Sequence, residues 1–199
     1  MKTEPTLADT KPIKDMVNIR YVQTTPFSLK IKLKIHLWKL IQDTFFRFSP
    51  SRLRGFRRWL LRLFGAKIAP TASIHNTARI ECPWNLEMGD YASVGEYAWI
   101  YTLDKIVIGE YAVIGQRSLL LTGTHDFSDP AFPLIIRPIV IGYGAWIAVG
   151  VIILPGVKIS ALSVVGAGSV VTKDLPEQMI CAGNPCKPIK HREFREKIL

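Results

Sequence analysis

The stretch from Ile141 to Lys173 reads IGYGAWIAVGVIILPGVKISALSVVGAGSVVTK. Every sixth place in it is aliphatic: Ile141, Ile147, Ile153, Ile159, Val165 and Val171. Four residues after each of the first five comes a small or short side chain, namely Ala145, Val151, Val157, Ser163 and Ser169. An α-helix repeats every ~3.6 residues and a strand every two, so neither produces a recurrence of six. Self-similarity at a short fixed period belongs to solenoids, in which one small unit is stacked on copies of itself. Six residues suffice for one short strand and one turn, with the aliphatic residue pointing inward and the small one sitting where the turn closes.

The same ruler fits the preceding sequence. Ile68, Ile74 and Ile80 are in step, then Met88, Val94 and Ile100, then Ile108, Ile114 and Leu120, with slips of eight residues after Ile80 and after Ile100. Three units make a triangular coil, and coils stack at roughly 4.8 Å, the inter-strand spacing. Residues 68–175, less one interruption, make about five coils of a mainly β, parallel β-helix. The interruption runs from Thr122 to Pro138, TGTHDFSDPAFPLIIRP, carries three prolines and breaks the ladder between Leu120 and Ile141. It is expected to leave the coil as a loop, and long loops on rigid scaffolds are where function concentrates. Ile139 to Val157 is 19 residues without a charge, but its glycines, Pro155 and abundant Val and Ile suit strands and turns rather than a membrane-spanning helix.

The chain of 199 residues is 48% hydrophobic and 21% charged, which excludes disorder and fits one compact domain with a small appendage. Its formal charge of +10 is concentrated. Residues 27–67 hold 11 basic residues (Lys30, Lys32, Lys34, Lys39, Arg47, Arg52, Arg54, Arg57, Arg58, Arg62 and Lys67) and one acid, Asp43, whereas the remainder carries 15 of each sign. A basic segment on a neutral body points to a local task rather than to nucleic acid. The expected organisation is a poorly ordered tail over 1–26, a basic helical leader over 27–67, the β-helix over 68–176 with its loop at 122–138, and a C-terminal tail over 177–199.

Two helices are expected in the leader, from Ser28 to about Phe46 and from Ser51 to Phe64, with Ser51 as N-cap and Gly65 as the stop. In the second, Leu53, Phe56, Leu60, Leu63 and Phe64 share one face, and Arg54, Arg58 and Arg62 recur at every fourth place on another. Such a helix reads either as a membrane-surface element facing anionic lipid or as a cap on the open end of the β-helix, its arginines in solvent. The three cysteines, Cys82, Cys181 and Cys186, are an odd number, and the N-terminus MKTEPTLADT has no apolar stretch that would make a signal peptide. Free thiols in a reducing, cytoplasmic setting are therefore expected, with a peripheral position at the inner face of the membrane if the leader meets lipid.

His125 stands at the root of the loop between Thr124 and Asp126. Coils followed by T-H-D, a loop, I-V-I-G-Y-G-A-W-I-A, then V-V-G-A-G-S-V-V-T-K-D-L-P and A-G-N-P-C-K-P-I-K resemble the hexapeptide acyltransferases, and among them the sugar O-acetyltransferases. The likeness spans about Phe27 to Ile189. It is nearest to the colanic acid biosynthesis type, on R-L-F-G-A-K-I at 62–68, P-W-N-L-E-M-G-D at 83–90 and H-D-F-S-D-P-A-F-P-L at 125–134. The resemblance implies a left-handed β-helix and acetyl transfer from acetyl-CoA to a sugar hydroxyl by direct attack, without a metal. A hydroxyl is a poor nucleophile near pH 7, so a base must take its proton, and a neutral imidazole suits that task. His125 matches the family's catalytic His, and the backbone N–H of Val149 matches the oxyanion donor of the galactoside-type enzymes.

For the coenzyme, the resemblance implies Trp146 beside the acyl and pantetheine region and small residues Ala148 and Ala167 where pantetheine approaches the backbone. It implies Thr172 and Lys173 at the nucleotide end and Lys187 and Lys190 near the 3′-phosphate. Family members are trimers with active sites between neighbouring prisms, so a homotrimer is expected, His125 and the coenzyme groove coming from adjacent chains. One departure stands out: the Asn that positions the acceptor in galactoside-type enzymes falls near Gly95. Other small acceptors remain open, among them an antibiotic, serine, a free disaccharide or an amino sugar, as does a non-catalytic membrane-surface module. A γ-type carbonic anhydrase needs three His on zinc, and only His75 and His125 lie on the coils. Nucleic acid is not an expected partner, because the leader's apolar faces match its charge and no nucleic-acid motif is present.

Overall fold

The computed structural model describes residues 27–195, so the tail expected over 1–26 lies outside the described residues. The chain winds in coils of three short strands. The first coil is β1 (Lys67–Ile68), β2 (Ser73–Ile74) and β3 (Arg79–Ile80); the second is β4 (Leu86–Met88), β5 (Ser93–Val94) and β6 (Trp99–Tyr101). The third is β7 (Ile106–Ile108), β8 (Val113–Ile114) and β9 (Leu119–Leu121). A hairpin, β10 (Gly123–His125) and β11 (Leu134–Ile136), separates it from the fourth coil, β12 (Ile139–Ile141), β13 (Trp146–Ile147) and β14 (Ile152–Ile153). The fifth is β15 (Lys158–Ile159), β16 (Val164–Val165) and β17 (Val170–Val171), and β18 (Met179–Gly183) and β19 (Cys186–His191) follow.

Strands one coil apart pair in parallel, which gives three flat faces: β1-β4-β7-β12-β15, β2-β5-β8-β13-β16-β18 and β3-β6-β9-β14-β17. The sixfold ladder is the core of this prism. Ile68, Met88, Ile108, Ile141 and Ile159 stack inward from the first face, and the other two columns are equally buried. Each such aliphatic side chain contributes ~1.5–3 kcal/mol by leaving water. The small residues close the turns, Ala72, Ala92, Ala112 and Ala145 among them, all fully buried.

The two slips of eight fall at the same corner, between the third and first faces. There a short 3₁₀ turn (Pro83–Asn85) and the Leu103–Lys105 segment each take up two extra residues, and the extra turns hold one another. Asn85 Nδ2 donates to the carbonyls of Thr102 and Leu103, the Cys82 N–H to Thr102 Oγ1, and the Asp104 N–H to Thr122 Oγ1. The hairpin of residues 122–138 springs from this corner one coil further on. The interruption is thus a paired antiparallel ribbon, with Thr124 opposite Ile135 and His125 opposite Leu134, rather than an irregular loop.

The leader is α1 (Leu29–Ile41), a π-helical turn (Gln42–Phe46) and α2 (Arg54–Leu63). Ser28 caps α1 as expected, its Oγ accepting the Ile31 N–H. α2 starts two residues later than expected, with Leu53 rather than Ser51 in the cap position, because residues 49–51 wrap around a buried guanidinium. Arg57 is 2% exposed and donates to Ser49 Oγ and to the carbonyls of Pro50, Ser51 and Ile74. Of the expected apolar face, Leu60 and Phe64 are buried with Leu61, whereas Leu53 and Leu63 are exposed.

Two of the three arginines of the expected stripe do not simply face solvent. Arg58 donates to the carbonyl of Ala72 and Arg62 to that of Ile68, while Trp38 Nε1 donates to the carbonyl of Ile80 and Gln42 Oε1 accepts the Ile80 N–H. The first coil has no strand on its outer side, and a helix cannot extend a sheet, so leader side chains satisfy the edge instead. At the other end the backbone does this work. β18 adds to the second face opposite β16, and β19 turns back on it, so the segment expected as a tail carries ordered structure from Met179 to His191.

Candidate active site

His125 ends β10, with its side chain exposed. Its Nδ1 lies 2.8 Å from the Phe132 carbonyl oxygen and its ring stacks on the Phe132 ring, centroids 4.9 Å apart. A carbonyl only accepts, so Nδ1 carries the proton and Nε2 keeps the lone pair that a general base needs. Asp126, the neighbour in the T-H-D motif, does not orient the imidazole. Its carboxylate accepts the N–H and hydroxyl of Ser128, which hold its pKa below the ordinary aspartate value, and its N–H donates to the Pro133 carbonyl. Asp129 accepts the Ala131 N–H, and Phe132 sits at φ 51°. Phe132 was not among the expected site residues; the motif at 125–134 contains it, but a role carried by a backbone carbonyl leaves no mark on side-chain chemistry.

Trp146, Ala148, Val149 and Ala167 come together, lining a groove of about 650 Å³ on the second face with Gly95, Val113, Gly115 and Gln116. Its floor is backbone: a Cβ on Gly115 would stand 2.6 Å from the carbonyl carbon of Ala148, so only glycine fits. Val149 precedes Gly150, whose φ is +68°, and among the described residues its N–H has no hydrogen-bond acceptor while its carbonyl accepts the Gly168 N–H. Gly95, where an acceptor-positioning Asn was looked for, lines the same groove. A Cβ there would meet the Gln116 nitrogen at 3.0 Å, so the position has no room for a side chain without movement of the next coil.

A second hollow shares Val94, Gly95 and Gln116 with the groove and continues it toward the leader, past Ser73, His75, Glu96 and Arg54. His75 Nδ1 engages Thr77 Oγ1, and its Nε2 lies 3.6 Å from Glu96. Among the described residues no three His, Cys, Asp or Glu side chains are grouped to hold a metal ion. The three thiols are buried and free, and burial pushes Cys82 up to about 12 and Cys181 up to about 11, far from reactive thiolate behaviour.

The remaining expected residues are dispersed. Lys187 and Lys190 stand on β19, at the far edge of the sheet that carries the groove, two strand spacings or roughly 10 Å beyond β16. Thr172 and Lys173 are exposed just past β17, on the third face, and do not line the groove. Nor does His125. Its hairpin leaves the corner between the third and first faces, which in a triangular prism lies opposite the second face.

No family model matches the chain. It is 46% identical over 160 residues to a protein of Escherichia coli K12 that carries the name colanic acid biosynthesis acetyltransferase WcaF, covering 80% of this chain and 88% of the relative. It belongs to the hexapeptide-repeat acetyltransferases. The galactoside O-acetyltransferase of Escherichia coli K12 is 50% identical over 136 residues, 63% of this chain and 66% of that one. Among solved structures, a maltose O-acetyltransferase from Clostridium difficile 630 superposes with a TM-score of 0.74 at 27% identity, over 84% of this chain and 90% of the other. The chain is thus an acetyltransferase built on the left-handed β-helix, and its hairpin and second-face groove are the parts to assign to chemistry.

Proposed function

We propose that this acetyltransferase moves the acetyl group of acetyl-CoA to a sugar hydroxyl in the biosynthesis of a surface polysaccharide, with His125 as general base. The observation that carries the reading is the Nδ1 contact to the Phe132 carbonyl, which in the neutral ring puts the free lone pair on Nε2 of this exposed side chain. The sugar oxygen attacks the thioester carbonyl carbon as its proton passes to Nε2. The resulting oxyanion accepts a hydrogen bond from the Val149 N–H, and collapse expels the coenzyme thiolate, which takes the proton back from the imidazolium. Trp146, Ala148 and Ala167 flank the pantetheine, and Lys187 and Lys190 meet the 3′-phosphate. The polar hollow at Glu96 and Gln116 supplies the acceptor and donor groups that sugar hydroxyls require.

A homotrimer belongs to the same proposal. Two of the sets of expected contacts that miss the groove, His125 and the Thr172–Lys173 pair, stand on the third face or its corner, where a neighbouring prism would bring them against the groove of the next chain. The enzyme would work in the cytoplasm at the inner face of the membrane, touching it through residues 27–67. Thiol release from acetyl-CoA, measured against a panel of nucleotide-linked and lipid-linked sugars beside His125→Ala, tests the assignment. The variant is expected to lose ~10²–10⁴ in rate. Unchanged transfer would overturn the base, and turnover with non-sugar acceptors alone would overturn the substrate class.

A further inference from the structure

α1 has two apolar sides, and the protein uses one of them. Trp38 is fully buried, donates to Ile80 and packs against Phe46 and Phe64, with ring centroids 6.0 and 5.1 Å away. The opposite side carries Leu29, Leu33, Leu37 and Leu40, spaced by four, four and three and therefore aligned in one ridge. They are 85%, 72%, 50% and 63% exposed. The π-helical turn admits an extra residue per turn, and beyond the ridge Phe45 and Phe48 are exposed at 65% and 81% while Phe46 is buried.

Single exposed leucines are ordinary; six large apolar side chains exposed along one helical segment are not. At about 100° per residue, Lys30 flanks the ridge on one side and Lys32 on the other, while the Lys34 ammonium sits over the Trp84 ring, 4.2 Å from its centroid; the only acid between residues 27 and 67 is Asp43. Lysines on both flanks of an apolar ridge match the bilayer interface, where acyl chains take the ridge and the ammonium groups reach headgroup phosphates on their flexible stems. The sign of the charge selects anionic lipid. α1 is 13 residues long, about 20 Å against a hydrocarbon core of about 30 Å, and among the described residues no helix is long and apolar enough to cross a membrane.

We infer that the Leu29–Leu40 ridge of α1, extended by Phe45 and Phe48, lies in the interface of an anionic bilayer and sets the acetyltransferase on it with its first coil lowermost. The inference rests on the reading of residues 27–67 as a membrane contact and locates it on α1, not on α2, whose Arg57, Arg58 and Arg62 are bound to the first coil. One helix diameter plus two coil spacings puts the root of the His125 hairpin on the order of 20 Å above the surface. That height suits an acceptor sugar carried on a lipid anchor.

Co-sedimentation of the full chain with vesicles of phosphatidylcholine, alone or with a third phosphatidylglycerol, tests this. Wild type is expected to pellet with the anionic vesicles, Leu33→Ser/Leu37→Ser/Phe48→Ser to lose at least tenfold in partitioning with its melting temperature intact, and Lys30→Glu/Lys32→Glu to lose the preference for phosphatidylglycerol. A wild type that stays in the supernatant overturns the membrane contact altogether. Wild-type binding that survives in the triple variant overturns the ridge alone, and a triple variant that changes the oligomeric state shows the ridge to be covered by another copy instead.

Discussion

In the five coils an aliphatic side chain returns to the interior at every sixth place and the backbone of each turn hydrogen-bonds to the next, whereas the hairpin between Thr122 and Pro138 buries little beyond Thr122. The coils are held by stacking over the whole length of the prism. The hairpin is held by short-range contacts: Asp126 to Ser128, Asp129 to Ala131, and His125 to Phe132. A repeat can offer a flat face with backbone close at hand, which suits a long thin coenzyme. The coils do carry one histidine, His75, but its two ring nitrogens face Thr77 and Glu96. The proposed base, His125, stands instead on the longest segment that leaves the period.

If hairpin and groove meet only across chains, two dead variants will rescue one another. His125→Ala removes the base, and Ala167→Trp fills the groove at an exposed position without touching the core. Each alone is expected to lose ~10²–10⁴ in transfer rate. Co-assembled in equal amounts as trimers, they should recover about a quarter of wild-type turnover, since one arrangement in four joins an intact hairpin to an intact groove. No recovery in mixed, verified trimers would place both parts of the site within one chain.

The two regions should also differ in what they contribute to stability. Ile100 is fully buried in the ladder, and Ile100→Ala is expected to cost ~2–5 kcal/mol, a fall in melting temperature on the order of 10 °C. Phe127, at 91% exposure in the hairpin, should shift stability by no more than about 0.5 kcal/mol when changed to Ala. Calorimetry of the two variants decides it, and equal losses would mean that the hairpin is packed in the working assembly.

The same contrast explains what could be read in advance. Periodicity names the inward column residue by residue, because burial in a solenoid depends only on position in the repeat. Trp146, Ala148, Val149 and Ala167 follow from the resemblance rather than from the period, and the structure lines one groove with them. Periodicity cannot show that the slips after Ile80 and Ile100 share a corner with the hairpin, since stacking of insertions is a contact between coils. Arg58 and Arg62 read as part of a solvent-facing stripe because the carbonyls they serve, at Ala72 and Ile68, are unpaired only at the end of the prism. The ordered C-terminal hairpin escaped because the spacing shortens to 16 residues between Val165 and Cys181, out of step with the ruler. The Phe132 carbonyl is invisible to any reading of side chains.

An effect smaller than the loss at Ile100 comes from an insertion that is buried rather than exposed. Cys82 lies at the first slip, 1% exposed, its N–H bound to Thr102 Oγ1 and its thiol raised to about 12 by burial and then by the neighbouring Glu81. In the unfolded chain the thiol ionises near 8.5. Between those values the unfolded state binds fewer protons than the folded one, so stability is full below the lower value and falls as pH rises toward the higher, by up to about 1.4 kcal/mol per pH unit. Other groups titrate in the same range, Tyr101 among them with its pKa also raised by burial, so the informative quantity is a difference between proteins. Urea midpoints measured at about pH 8 and about pH 10 should drop further for wild type than for Cys82→Ala, by a margin of about 1–2 kcal/mol. Parallel declines would mean that the corner opens to water in solution, and the two kinds of insertion would then differ less than their burial suggests.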